Sequence, residues 1–143
     1  MPVRRRAALA HRHPRRRAAD RWQDAPGDFE RAVQEALDGV PPMFRPLLAN
    51  VAVIVEDWPT TDQAQAGGAA DGWLYGLYEG TPGTEPWAEH VIAPNVITLF
   101  RIPLQDDFRH PDELVYEIRR TVIHELAHHA GIDDARLHEL GYD

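Results

Sequence analysis

His124-Glu125-Leu126-Ala127-His128-His129-Ala130-Gly131-Ile132-Asp133-Asp134 is the stretch on which the reading of this chain turns. Residues four apart on an α-helix are separated by roughly 40° and about 6 Å of rise. His124 and His128 therefore project side by side from one face, where both imidazoles can reach a single Zn2+. Glu125 is turned by roughly 100° from His124, beside such an ion rather than on it, where a general base for an attacking water belongs. Gly131 can take a positive φ and stop the helix at once. A ligand a few residues later can then swing back under the metal. Asp134, ten residues after His124, holds the third-ligand position of the extended pattern His-Glu-x-x-His-x-x-Gly-x-x-(His/Asp), and Asp133 is the near alternative. Requiring the Gly and the final His or Asp makes a chance match roughly a hundredfold rarer than the first five positions alone.

Working outward, Pro111 suits the first position of this helix, and Asp112 and Glu113 suit the positive end of its dipole. Val115, Ile118, Val122 and Leu126 form a stripe nearly opposite the His pair. The stripe is expected to lie on a sheet or on the first helix, and the histidines to point into a cleft. His129, roughly 140° from His124, reads as a packing or hydrogen-bonding residue. His138 is a fallback third ligand, and Asp134 could instead cap a short terminal helix over residues 133–140. Glu117, nearly in phase with His124, reads as a solvated carboxylate, with support of a ligand as the other use. Tyr116, Tyr142 and His90 are loose candidates for stabilising an oxyanion.

The rest of the chain is one domain's worth of structure. Residues 28–38 (DFERAVQEALD) carry Phe29, Val33, Ala36 and Leu37 on one helical face, with Asp28 as N-cap and Gly39 as stop. Strands are expected at 51–56 (VAVIVE), 73–79 (WLYGLYE) and 95–102 (NVITLFRI). The unbroken β-branched run of the first suggests a strand covered on both faces. Residues 57–72 and 80–94, the latter with Trp87 and His90, read as irregular loops punctuated by Pro and Gly. These expectations sum to an α+β fold, a small three-stranded mixed sheet packed against the N-terminal helix and the His-bearing helix.

Composition sets the remaining bounds. There is no Cys, so no disulfide, thiolate site or cysteine nucleophile. All 15 basic residues are Arg, and the chain carries a net charge of −8. Eight of those arginines fall within residues 1–21, so a basic arm, expected to be disordered over residues 1–24, precedes an acidic body at 25–143. His11 and His13 in the arm carry no metal signature. The arm lacks the apolar run of a secretory or twin-arginine signal, and no stretch approaches a membrane span, so a cytoplasmic protein is expected. The acidic body argues against nucleic-acid binding, which would rest on the arm alone. A monomer is favoured.

With these residues in view, the chain resembles the zincin metallopeptidases of the short-spacer type. His124, Glu125, His128, Gly131 and Asp134 resemble the metzincin motif, and the Asp in last place is similar to snapalysin-type bacterial proteases. GLYEGTP at 76–82, VITLFR at 96–101 and the terminal motif resemble the bacterial minimal metalloprotease-like family. The resemblance implies a compact zincin fold, Zn2+ held by His124, His128 and Asp134, and Glu125 as the base of a zinc endopeptidase acting on a peptide or protein. It also implies that an edge strand pairs with the substrate, a role that chain order gives to residues 73–79. The Met-turn of true metzincins is missing, since the only methionines are Met1 and Met43. Only 15 residues follow His128, so the third ligand is expected through the Gly131 turn rather than from a downstream helix of the thermolysin-like kind. The same shortness leaves little chain for a lower subdomain. That supports a second reading, a zincin-fold metal-binding structural or binding domain with little or no catalysis.

Overall fold

The computed structural model describes residues 27–80 and 95–142. The Arg-rich arm with His11 and His13, and the loop that carries Trp87 and His90, lie outside the described residues.

Helix α1 (Asp28–Asp38) buries Phe29, Ala32, Val33 and Ala36, the face the apolar spacing predicts. Gly39 caps it: its N–H returns to the Ala36 carbonyl (3.2 Å) and the Val40 N–H to that of Leu37 (3.1 Å). Arg119 closes the same end from another helix: its Nε donates to the Ala36 carbonyl (3.0 Å) and its Nη2 to that of Glu35 (3.2 Å). These carbonyls have no partner within their own helix. A short helix, α2 (Arg45–Leu48), then leads into β1 (Val51–Glu56).

Strands β1, β2 (Gly76–Glu79) and β3 (Asn95–Phe100) form a mixed sheet in the order β1-β3-β2, with β1 parallel and β2 antiparallel to β3. The middle place thus belongs to the third strand. β1 is an edge strand with one face open, and Ile54 is 43% exposed. Its β-branched run reflects strand propensity, not cover on both faces.

Three further departures have local causes. Residues 57–72 hold a helix, α3 (Thr61–Ala66), started by a capping box: the Gln63 N–H donates to Thr60 Oγ1 (3.1 Å) and the Thr60 N–H to Gln63 Oε1 (2.9 Å). The third strand ends at Phe100, because Arg101 and Ile102 open a helix, α4 (Arg101–Asp107), whose first turn tolerates Pro103. The second strand starts only at Gly76. Ahead of it, Trp73 Nε1 donates to Asp107 Oδ2 (2.9 Å), and the Tyr75 hydroxyl donates to the same carboxylate, fastening this segment to the end of α4.

Helix α5 (Pro111–His129) begins as predicted at Pro111, with the Asp112 N–H donating to His110 Nδ1 (3.3 Å). Val115, Ile118, Val122 and Leu126 are all buried and join the α1 face in the main core. Burying each such side chain stabilises the fold by about 1.5–3 kcal/mol before entropy is charged against it. Helix α6 (Asp134–Leu140) follows after a short turn and buries Leu137. The α+β class and the pairing of a small mixed sheet with α1 and α5 are as expected. Among the described residues no helix is long and apolar enough to cross a membrane.

Candidate metal centre

The chain reverses direction immediately after the second His. Gly131 takes φ +84°, its N–H returns to the His128 carbonyl (3.1 Å), and the Ile132 N–H returns to that of Ala127 (2.8 Å). This pair of bonds around a left-handed glycine is a Schellman stop. Asp133 then caps α6, its Oδ1 accepting from the Arg136 N–H (2.8 Å). Asp133 is therefore the helix cap, and its neighbour Asp134 turns towards the histidines.

Asp134 Oδ1 lies 2.7 Å from His128 Nε2 and 3.7 Å from His124 Nδ1. The two imidazole rings are 4.3 Å apart, centroid to centroid, at 44°. His124, His128 and Asp134 form the one group among the described residues whose ligand atoms could hold a metal ion, all within 4.8 Å of one another. The histidines are largely enclosed, whereas Asp134 is exposed, on the rim of an open depression of about 500 Å³.

Glu125 stands on the neighbouring ridge of α5. Thr121, Glu125 and His129 recur every four residues and form one ridge along α5, and β2 lies across it. Gly76 meets Thr121 at one end: a Cβ on that glycine would come within 2.7 Å of Thr121 Cγ2. Tyr78, two residues on and so on the same strand face, stacks on His129 at the other end, with centroids 3.9 Å apart and planes at 18°. Glu125, between them, is fully buried. Burial also pushes the Tyr78 hydroxyl above its ordinary pKa of 10.0.

His129 thus packs, as its helical angle predicts. His138 lies outside the ligand group. Glu117 corrects the sequence reading: it is buried, only 8% exposed, with Arg120 Nη1 3.5 Å from its Oε1. Tyr116 and Tyr142 line a separate cavity that includes Arg119 and Arg120, and His90 is outside the described residues. The β2 wall over Glu125 is what sequence reasoning missed. Its signal was the Gly at position 76, alternating with Tyr78 within an otherwise bulky strand.

Two imidazole nitrogens and one carboxylate oxygen are a zinc-type donor set that leaves a fourth position open. A tetrahedral ion with bonds near 2.0–2.1 Å spaces its ligand atoms roughly 3.4 Å apart. The 3.7 Å separation of His124 from Asp134 is near that value. The 2.7 Å contact of Asp134 with His128 is a hydrogen bond that an ion would replace. The residues present therefore fit the metal.

The search of curated proteins finds no match. A family model described as zincin-like metallopeptidase matches residues 48–142, from the approach to β1 through the end of α6. That span covers roughly two thirds of the chain, includes the whole sheet and every residue of the His-His-Asp group, and agrees with the fold; the chain belongs to the zincin-like metallopeptidase family.

Proposed function

We propose that the chain is a zinc-dependent peptidase that hydrolyses a peptide or protein substrate at the centre formed by His124, His128 and Asp134. One observation carries this reading. Three ligand atoms of zinc-binding type converge within 4.8 Å, and Glu125, the next residue along α5 from His124, is held fully buried. His124 and His128 would supply neutral imidazole nitrogens, and Asp134 a carboxylate oxygen. A zinc ion held there supplies a Lewis acid for the scissile carbonyl and lowers the pKa of water towards neutrality. Glu125 accepts the proton of the attacking water on its carboxylate and hands it to the leaving amine. Burial keeps that carboxylate out of bulk water. The outer edge of β2 is the place for an extended substrate to pair, main chain to main chain.

The deciding experiment joins metal analysis of the purified chain to hydrolysis of casein and a quenched peptide by wild type and Glu125→Ala. The expected result is about one zinc per chain, with a rate that falls roughly 10²–10⁴-fold in the variant. Stoichiometric zinc with no Glu125-dependent hydrolysis would replace this reading with a metal-stabilised binding domain. A chain that takes up no metal ends both.

A further inference from the structure

We propose that a cavity on the flank of α5 binds the free C-terminal carboxylate of the peptide being cut, with Arg120 as its main partner. This deepens the peptidase reading above and rests on it. The cavity has a volume of about 140 Å³, and its walls include Tyr116, Arg119, Arg120, Ile123 and Tyr142. Four of these side chains carry hydrogen-bond donors, and among the described residues no acidic side chain lines it. The volume suits a carboxylate on a short stem, since a water molecule takes about 30 Å³.

The chain carries a net charge of −8, and only seven arginines lie beyond residue 21. Two of the seven line this one cavity. Arg119 is fixed by its bonds to the end of α1, so it supplies a positioned charge. Arg120 is 40% exposed at its side chain, and its contact with Glu117 is long at 3.5 Å. Normal N–H···O bonds are about 2.7–3.2 Å, so most of the Arg120 donor fork remains for a carboxylate, which such a fork grips with two parallel bonds. Neither the Tyr116 nor the Tyr142 hydroxyl bonds to another described residue.

Position identifies the anion. Arg120 precedes His124 by one helical turn, about 6 Å along α5. An extended peptide advances about 3.3 Å per residue. A carboxylate held by Arg120 therefore stands about two residues beyond a bond cut at the His pair. The cavity favours release of short C-terminal peptides, where the sequence alone suggests an endopeptidase.

The test uses the zinc-loaded full chain carrying Glu125→Ala, so that bound peptide is not consumed. It is titrated with two dye-labelled six-residue peptides, identical except for a free or an amidated C-terminus. The free acid is expected to bind roughly tenfold tighter or more. The overall negative charge of the protein would favour the amide, so this preference has to be local. The gap is expected to close with Arg120→Gln and to narrow with Tyr116→Phe, which removes one hydroxyl from an exposed ring. Equal affinities, or a gap that survives Arg120→Gln, overturn the proposal. Should Arg120→Gln not fold, an unchanged gap in Tyr116→Phe with Tyr142→Phe overturns it instead. Wild type assayed on the same pair separates the two readings. Cleavage of both peptides at one rate removes the carboxylate site and leaves the peptidase, whereas a binding gap without cleavage of either removes the peptidase and leaves the site.

Discussion

Gly76 of β2 and Thr121 of α5 stand so close that a Cβ on the glycine would lie 2.7 Å from Thr121 Cγ2. Only a residue without a side chain lets the strand come down onto the helix at this point, one turn before Glu125. Gly76→Ala is expected to destabilise the protein by about 1–3 kcal/mol through overpacking, read from the urea midpoint. Adding Thr121→Ser removes the opposing methyl and is expected to restore much of that loss. If the two changes simply add, the contact is not the cause.

Asp133 and Asp134 are adjacent, and their side chains do different work. Asp133 accepts from the Arg136 N–H at the start of α6, and Asp134 reaches His128 and His124. Asp133→Ala is expected to cost about 1 kcal/mol of stability, the usual loss of an N-cap, and to leave zinc affinity nearly unchanged. Asp134→Ala is expected to weaken zinc binding by roughly a hundredfold or more in a chelator competition, with little effect on the metal-free fold. A reversed pattern would make Asp133 the ligand.

The juxtaposition of His124, His128 and Asp134 is legible in the sequence because it is local: one helix, one glycine stop and a ten-residue span. Helices α1 and α5 are legible for a similar reason, since Phe29, Val33 and Ala36, and Val115, Ile118 and Val122, repeat at the helical period, although Gly27, not the expected Asp28, is the N-cap of α1. Helix α3 announced itself only through Thr60 and Gln63, because TDQAQA has no apolar stripe. The rest depends on which element lies beside which. Nothing in VAVIVE says that β3, not β1, takes the middle of the sheet. Likewise the burial of Glu117 and the stacking of Tyr78 on His129 follow from long-range packing that no local pattern encodes.

Tyr78 makes stability depend on alkaline pH with a definite sign. Burial raises its pKa above the ordinary value of 10.0, so between pH 10 and the folded-state value the unfolded chain loses the phenolic proton first. Fewer protons are then bound in the unfolded state, and stability falls as pH rises through that window. Below pH 10 the group contributes no slope. Tyr78→Phe keeps a ring against His129 and removes the proton. The stability difference between wild type and variant, from urea unfolding at a series of pH values, is expected to stay constant up to about pH 10 and to move against wild type above it. A difference flat across the whole range would show that the hydroxyl is not shielded.

Leu137 couples the packing of α6 to the metal centre. Helix α6 begins with Asp134 and is held down by Leu137, 1% exposed, and by Tyr142, which meets Phe44 edge-on with centroids 5.2 Å apart. Truncating a buried Leu typically costs about 2–5 kcal/mol, and in a short terminal helix much of that loss goes into undocking. When only a fraction of molecules has α6 in place, apparent affinity for zinc falls by that fraction. Leu137→Ala is therefore expected to weaken zinc binding roughly ten- to hundredfold although Leu137 touches no metal, whereas Glu139→Ala, on the exposed face of the same helix, leaves it unchanged. Hydrogen exchange gives the reciprocal measurement: zinc should restore protection to the α6 amides of the Leu137 variant, because an ion that binds the docked state must also favour docking. If zinc affinity is the same in Leu137→Ala and wild type, Asp134 reaches the histidines without help from the rest of α6, and the turn at Gly131 alone positions it.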